Sequence, residues 1–137
     1  MQREREGQTG KLLDGCDGIQ HIGIPTADLK KTCEFYEELG FTRTFETVIG
    51  DGQHVAFLNF QNVTLELYEG EPAGKAGAVD HISINCLDVR KAYALAVEKG
   101  YPVVSNGIEE LPFWKNGVRF FTIEGPNREK IELNQYL

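Results

Sequence analysis

Apolar and polar residues alternate from Ile19 to Pro25, with Ile22 and Ile24 on one side and His21 and Gly23 on the other. That two-residue period predicts a strand. From Leu29 the period lengthens. Leu29, Thr32, Cys33 and Tyr36 form one stripe of a helix that Asp28 caps and that runs to about Leu39. Gly40 stands where a left-handed residue ends such a helix. Strand-like segments return at Phe41–Ile49, His54–Phe60 and Val63–Glu69, separated by the turns Gly50-Asp51-Gly52 and Gln61-Asn62.

The chain then repeats this pattern. Ile19–Phe41 lies over Val79–Tyr101 without a gap, setting His21 on His81, Ile22 on Ile82, Asp28 on Asp88 and Gly40 on Gly100. Leu65-Glu66-Leu67 corresponds to Ile131-Glu132-Leu133 after a few inserted residues. The second helix carries the stripe Val89, Ala92, Tyr93 and Ala96. Strands are predicted at Pro102–Val104, Val118–Glu124 and Glu129–Tyr136, with Ser105–Gly117 as a long loop. The fold class is therefore α+β, two tandem βαβββ modules at residues 18–70 and 78–136 joined by a linker at 71–77. They form one domain over 18–136, preceded by a polar N-terminal arm at 1–17 expected to be mobile. A ferredoxin-like α+β sandwich is the alternative architecture.

Strand alternation then places the chemistry. Leu65 and Leu67 must meet a helix, so Glu66 points away with Thr64 and Tyr68; Glu132 points away with Asn134. His21 and His81 point away from their isoleucine neighbours, and Ser83 and Asn85 share the His81 face. Each module thus offers one His and one Glu on its open sheet face. Pairing two such faces would assemble His21, Glu66, His81 and Glu132, a donor set suited to one divalent ion per site such as Ni, Co, Zn or Mn. Tyr68, Asn85, Arg119 and Trp114 are candidate substrate contacts. Arg119 suits an anionic group or a surface ion pair, and Trp114 with Phe113 suits a lid or an aromatic wall, with Trp114 closing a core or a dimer contact as the alternative. His54 has no counterpart in the repeat and reads as structural or exposed.

Composition narrows the partners. The 137 residues carry 14 Lys+Arg against 21 Asp+Glu, a net charge of −7, which argues against nucleic acid and anionic membrane surfaces. No apolar run approaches the roughly 18 residues a spanning helix needs, and the first residues lack a signal-peptide core. Cys16, Cys33 and Cys86 are widely spaced and odd in number, without a Cys-x-x-Cys pair. They read as small buried or half-buried thiols in a reducing cytoplasm.

HIGIPTADLKKTCEFYEELGF, VTLELYE, VDHISINCLDVRKA and KIELNQY together resemble the vicinal-oxygen-chelate superfamily, and within it the glyoxalase I (lactoylglutathione lyase) type. The resemblance implies a cupped sheet, a metal held in the order His21, Glu66, His81, Glu132, and a homodimer. It implies a lyase or isomerase that chelates two neighbouring oxygens of a small hydroxycarbonyl substrate. Glu132 would be the base and Glu66 its partner. The site could form within one chain or between two. A metal-free ligand-sequestering module and an extradiol-type Fe(II) dioxygenase are the other activities the resemblance admits. The sequence departs from glyoxalase I at three places. Pro25 stands where an Arg helps hold glutathione, Gly70 where an Asn is usual, and Gly125-Pro126-Asn127-Arg128 replaces an Asp-Pro-Asp-Gly turn. Glutathione is therefore a doubtful part of the substrate.

Overall fold

Asp28 and Asp88 start the two helices in the same way. Each carboxylate accepts a hydrogen bond from the backbone N–H three residues on, Lys31 at 3.0 Å and Lys91 at 3.1 Å, satisfying a donor that a helix start leaves free. The computed structural model describes residues 10–15 and 17–137. Helix α1 spans Leu29–Leu39 and α2 spans Val89–Glu98. Thr32, Cys33 and Tyr36 are buried on α1, and Val89 and Ala96 on α2, with Ala92 and Tyr93 partly buried beside them. Gly40 ends α1 at φ 124°, and its N–H returns to the Tyr36 and Glu37 carbonyls.

The first module contains β1 (Ile22–Thr26), β2 (Thr42–Ile49), β3 (Gln53–Phe60) and β4 (Val63–Glu69); the second contains β5 (His81–Asn85), β6 (Glu109–Leu111), β7 (Val118–Glu124) and β8 (Lys130–Tyr136). Each module is one four-stranded sheet, ordered β1-β4-β3-β2 and β5-β8-β7-β6. The strand before each helix pairs in parallel with the last strand of its module, and the other pairings are antiparallel. The helix supplies the crossover a parallel pair requires. Among the described residues no helix is long and apolar enough to cross a membrane.

Two expected boundaries move. β1 starts at Ile22 rather than Ile19, because pairing with β4 begins only at Ile22 opposite Leu65; Ile19 is left exposed. The edge of the second sheet is not a short strand followed by a loop. Residues 102–104 make a single bridge, Val103 to Ile123, and β6 resumes the edge at Glu109, inside the expected loop. Between the two pieces the chain bulges out. Ser105 Oγ accepts from the Thr122 N–H at 2.9 Å and donates to the Gly107 carbonyl at 2.9 Å, with Gly107 at φ 64°. One hydroxyl thus takes over a ladder position that the bulged backbone cannot fill.

Of the N-terminal arm, residues 1–9 and Cys16 lie outside the described residues. Leu12–Gly15 form one 3-10 turn with Leu12 and Leu13 exposed. Cys33 is buried and Cys86 half-buried, and burial raises the Cys33 thiol pKa.

The helix-side faces of both sheets meet in a single core. Leu58, Leu65 and Leu67 of the first module and Phe121, Ile123 and Ile131 of the second belong to one cluster with Tyr36 and Val89. Polar contacts cross the same boundary. The Tyr36 hydroxyl donates to Glu129 Oε2 at 2.9 Å, Asn127 Nδ2 to Thr32 Oγ1 at 3.1 Å, and the Tyr101 hydroxyl to Glu38 Oε1 at 3.1 Å. Glu129 reaches Tyr36 because its side chain folds over Gly125, where any Cβ would collide with the carboxyl group. Burial first, and then Glu129, push the Tyr36 phenol pKa far up. Burial and Glu38 push Tyr101 up to about 12.

Tyr36→Phe should lower unfolding stability by about 1.5–3 kcal/mol, the effect of removing one partly buried hydrogen bond to a charged acceptor, measurable by urea titration. The Tyr101 phenol has a raised folded-state pKa, so its contribution is complete below the unfolded value of roughly 10. Between that pH and about 12 the folded chain retains a proton that the unfolded chain releases, so stability falls as pH rises. Melting temperature measured from pH 9 to 12 should therefore fall less steeply in Tyr101→Phe than in the unsubstituted protein.

Candidate functional site

Since Leu65 and Leu67 are committed to the core, Glu66 emerges on the opposite face of β4. Its neighbours across the first sheet are Gly23 on β1, Phe57 on β3 and then Phe45 on β2. Ile131 and Leu133 likewise turn Glu132 outward on β8, between Ser83 on β5 and Thr122 on β7. His21 immediately precedes β1 and His81 opens β5.

Each histidine meets the glutamate of its own module. His21 Nε2 lies 3.6 Å from Glu66 Oε1, and His81 Nε2 lies 3.6 Å from Glu132 Oε2. The other ring nitrogen is held by the preceding residue. His21 Nδ1 is 3.0 Å from Gln20 Oε1, and His81 Nδ1 is 3.0 Å from Asp80 Oδ2. Each ring is thus held from behind at Nδ1, and its Nε2 faces the glutamate carboxylate. Lys130 Nζ stands 3.4 Å from the other Asp80 oxygen. The His81 hydrogen bond, and then Lys130, hold the exposed Asp80 carboxyl below its ordinary range.

These pairs have the chemistry of metal donors. Two ligands each ~2.1 Å from one ion stand roughly 3.0–3.4 Å apart across a right to tetrahedral angle. The observed 3.6 Å separations need to close by only a few tenths of an ångström. An oriented imidazole whose far nitrogen is hydrogen-bonded is also the usual form of a metal-binding histidine. The four expected ligands are not, however, gathered within one chain. Among the described residues no group of three or more His, Cys, Asp or Glu is close enough to hold an ion. The reason is the common core, which turns the helix-side faces of both sheets inward and leaves the two His–Glu faces on the outside.

The expected substrate contacts divide. Tyr68 lies beside Glu66, with both side chains about an ordinary contact distance from the space over Gly23. Asn85 is exposed at the end of β5, in register with Asn134. Arg119 makes the surface ion pair that was one of its two expected roles. Two residues from Phe121, it shares that residue's face, opposite Glu132, and its Nε donates to Glu110 Oε1 at 2.6 Å. Trp114, at φ 63°, packs against Tyr136 with ring centroids 6.2 Å apart and stays largely exposed; Tyr136 shares the β8 face of Glu132 and Asn134. Phe113 joins His81, Glu132 and Asn134 around a cavity of about 500 Å³, with Leu111, Phe120 and Lys130 among its walls. In the first module Phe57 packs edge-on against His21 at 5.7 Å, and Phe45 packs on Phe57 at 6.1 Å. His54 is exposed, as expected, and its backbone N–H donates to Glu69. A more enclosed cavity of about 260 Å³ lies between the modules, but its walls are apolar and include none of the four donors.

Sequence reasoning missed Gln20 and Asp80. The repeat held the signal, for they occupy equivalent positions directly before the two histidines. Phe45 and Phe57 carried no such mark, since neither is duplicated.

The chain is similar to known proteins over most of its length. A family model described as the Glyoxalase/Bleomycin resistance protein/Dioxygenase superfamily matches residues 18–133. The uncharacterised protein YwbC of Bacillus subtilis strain 168 is 33% identical over 124 residues, covering 85% of this chain and 96% of that protein. A glyoxalase family protein from Enterococcus faecalis superposes with a TM-score of 0.71 at 20% identity, covering 87% of this chain and 98% of that one. A mutant of the fosfomycin resistance protein FosX from Listeria monocytogenes, complexed with Mn(II) and a dihydroxypropylphosphonic acid, gives 0.69 at 15% identity, covering 89% and 94%. A glyoxalase I mutant from Zea mays gives 0.64 at 23% identity, covering 85% of this chain and 43% of that one. With its paired βαβββ sheets and a family match over nearly the whole described chain, the protein belongs to the glyoxalase/bleomycin resistance protein/dioxygenase superfamily, the vicinal-oxygen-chelate fold.

Proposed function

We propose that the protein is a divalent-metal-dependent lyase or isomerase of the glyoxalase I type, acting on a small substrate with two neighbouring oxygens. The observation that carries this reading is the duplicated His–Glu pair, with the same 3.6 Å donor separation and the same held Nδ1 in both modules. A solvated histidine on a sheet face has no need of a carboxylate at donor distance and an acceptor behind it, still less at two equivalent positions. His21, Glu66, His81 and Glu132 would hold the ion. When bound, it would withdraw charge from a chelated pair of oxygens and stabilise the enediolate formed by loss of a carbon-bound proton. The chain supplies the proton path. One carboxylate, Glu66 or Glu132, takes the proton from one carbon and the proton returns to the neighbouring carbon, so the rearrangement needs no oxidant.

Because each chain carries the two halves of the donor set on outward faces, the complete site belongs to a homodimer, with His21 and Glu66 of one copy facing the second-module pair of the other. Closed dimers are the commonest assemblies. The exposed Phe45, Phe113 and Trp114 supply apolar surface beside those faces.

Glutathione is not part of the substrate in this reading. The two positions that would hold it are Pro25 and Gly70, which lie against each other. A Cβ on Gly70 would meet the Pro25 Cβ at 3.5 Å and the Tyr68 ring at 3.8 Å. An apolar contact thus stands where a guanidinium and an amide would grip the tripeptide. The substrate is a small chelating hydroxycarbonyl bounded by Phe57 on one half and Phe113 and Phe120 on the other.

Purified protein should hold about one divalent ion per chain, measured by elemental analysis after reconstitution with Ni, Co, Zn or Mn, and His81→Ala should lose it. No bound ion under any of these conditions overturns the metal-dependent reading and favours a ligand-sequestering module. A His21→Ala variant mixed with His81→Ala should recover metal binding in about a quarter of the sites after subunit exchange, because only a shared dimer puts both intact halves in one site. A site contained within one chain recovers none.

A further inference from the structure

The two glutamates of the repeat are held in different ways. Glu132 is clamped. Its Oε1 accepts a hydrogen bond from Ser83 Oγ at 3.0 Å and another from Asn134 Nδ2 at 2.8 Å, which leaves Oε2 presented to His81. Its side chain is 13% exposed. Glu66 occupies the equivalent position in the first module and is 30% exposed. Gly23 stands where the second module has Ser83, and Tyr68 where it has Asn134. Neither replaces the lost donor. Gly23 has no side chain, and the Tyr68 ring presents its edge to the space above Gly23. Among the described residues, no hydroxyl or amide donates to Glu66.

We infer that Ser83 and Asn134 are positioning residues that fix Glu132 as the permanent metal ligand, leaving Glu66 as the carboxylate that can leave the ion when a chelating substrate arrives. This rests on the proposed function and divides the work of its two carboxylates. A carboxylate with one oxygen already occupied by two donors has a fixed orientation and loses little freedom on binding an ion. A carboxylate without such donors must be ordered by the ion itself, and a competing oxygen pair displaces it more readily. The division reverses the one the family resemblance suggests, in which Glu132 moves protons. Glu66 is the better placed for that task, because a side chain that can swing off the metal can follow a proton between two carbons.

The test is Mn(II) and Co(II) titration of the full-length protein by calorimetry. Ser83→Ala and Asn134→Ala should each weaken binding by about 10–100-fold, the range for removing a hydrogen-bond partner of a metal ligand. Ser83→Thr, which keeps the hydroxyl, should restore it. Tyr68→Phe should remain within about two-fold of the unsubstituted protein, and Glu132→Gln should lose far more affinity than Glu66→Gln. Acetohydroxamate, which chelates through two neighbouring oxygens, supplies a spectroscopic readout. With Co(II) bound, it should bring the unsubstituted protein and Glu66→Gln to the same visible spectrum, since Glu66 has left the ion in both. Equal losses in the two Glu→Gln variants, or different final spectra, overturn the division of roles while leaving the metal site in place. Failure of the unsubstituted protein to bind either ion overturns the proposed function and this inference together.

Discussion

Alternation along β4 and β8 governs everything else in the molecule. Leu65 and Leu67, and Ile131 and Leu133, must be buried, and each pair encloses a glutamate that is thereby forced to the opposite face. The two modules then bury those apolar faces against each other. Sharing one core hides more apolar surface than two separate helix-on-sheet layers would, which favours this arrangement for modules of some fifty to sixty residues each. Its geometric cost is that the two chemically equipped faces diverge. Separation of the two His–Glu faces is a direct product of the packing that stabilises the chain.

The repeat is symmetric in backbone and asymmetric in detail. Both helices begin with an aspartate cap and both sheets have the same strand order. The contacts between modules are not duplicated, because Tyr36 corresponds to Ala96 and Glu129 has no equal in the first module. The sheet edges differ as well. β2 runs unbroken but for a register shift between Arg43 and Phe45, whereas its counterpart is split around Ser105. A duplicated framework with separately varied walls gives the two faces different chemistry. The first is aromatic around Phe57, and the second sets Ser83, Asn134 and Lys130 beside Phe113 and Phe120.

Much of this was legible in the sequence, because it depends on periodicity. The stripes of α1 and α2, the two aspartate caps and the outward direction of Glu66 and Glu132 all follow from local alternation. What was not legible depends on register and loop backbone. Arg119 suited an anionic group or a surface ion pair, and the face it shares with Phe121 pairs it with Glu110. Trp114 and Phe113 are neighbours in sequence, and the left-handed backbone at Trp114 is not written in their side chains. The edge piece at Glu109–Leu111 is held by its partner β7, and no pattern in three residues could announce it. That the four donors remain apart is a property of how whole modules pack, which neither half of the repeat encodes alone.

The boundary between modules carries one more consequence. A chain with two complementary outward faces is a head-to-tail building block. Such a block closes into a ring of two only at certain angles between its faces, and at others it propagates without end. In this chain that angle is set where the modules meet, by the shared core and by the hydrogen bonds of Tyr36, Asn127 and Tyr101 at its margin. On the proposed assembly, residues that hold no ion and touch no substrate help decide between a finite particle and a filament.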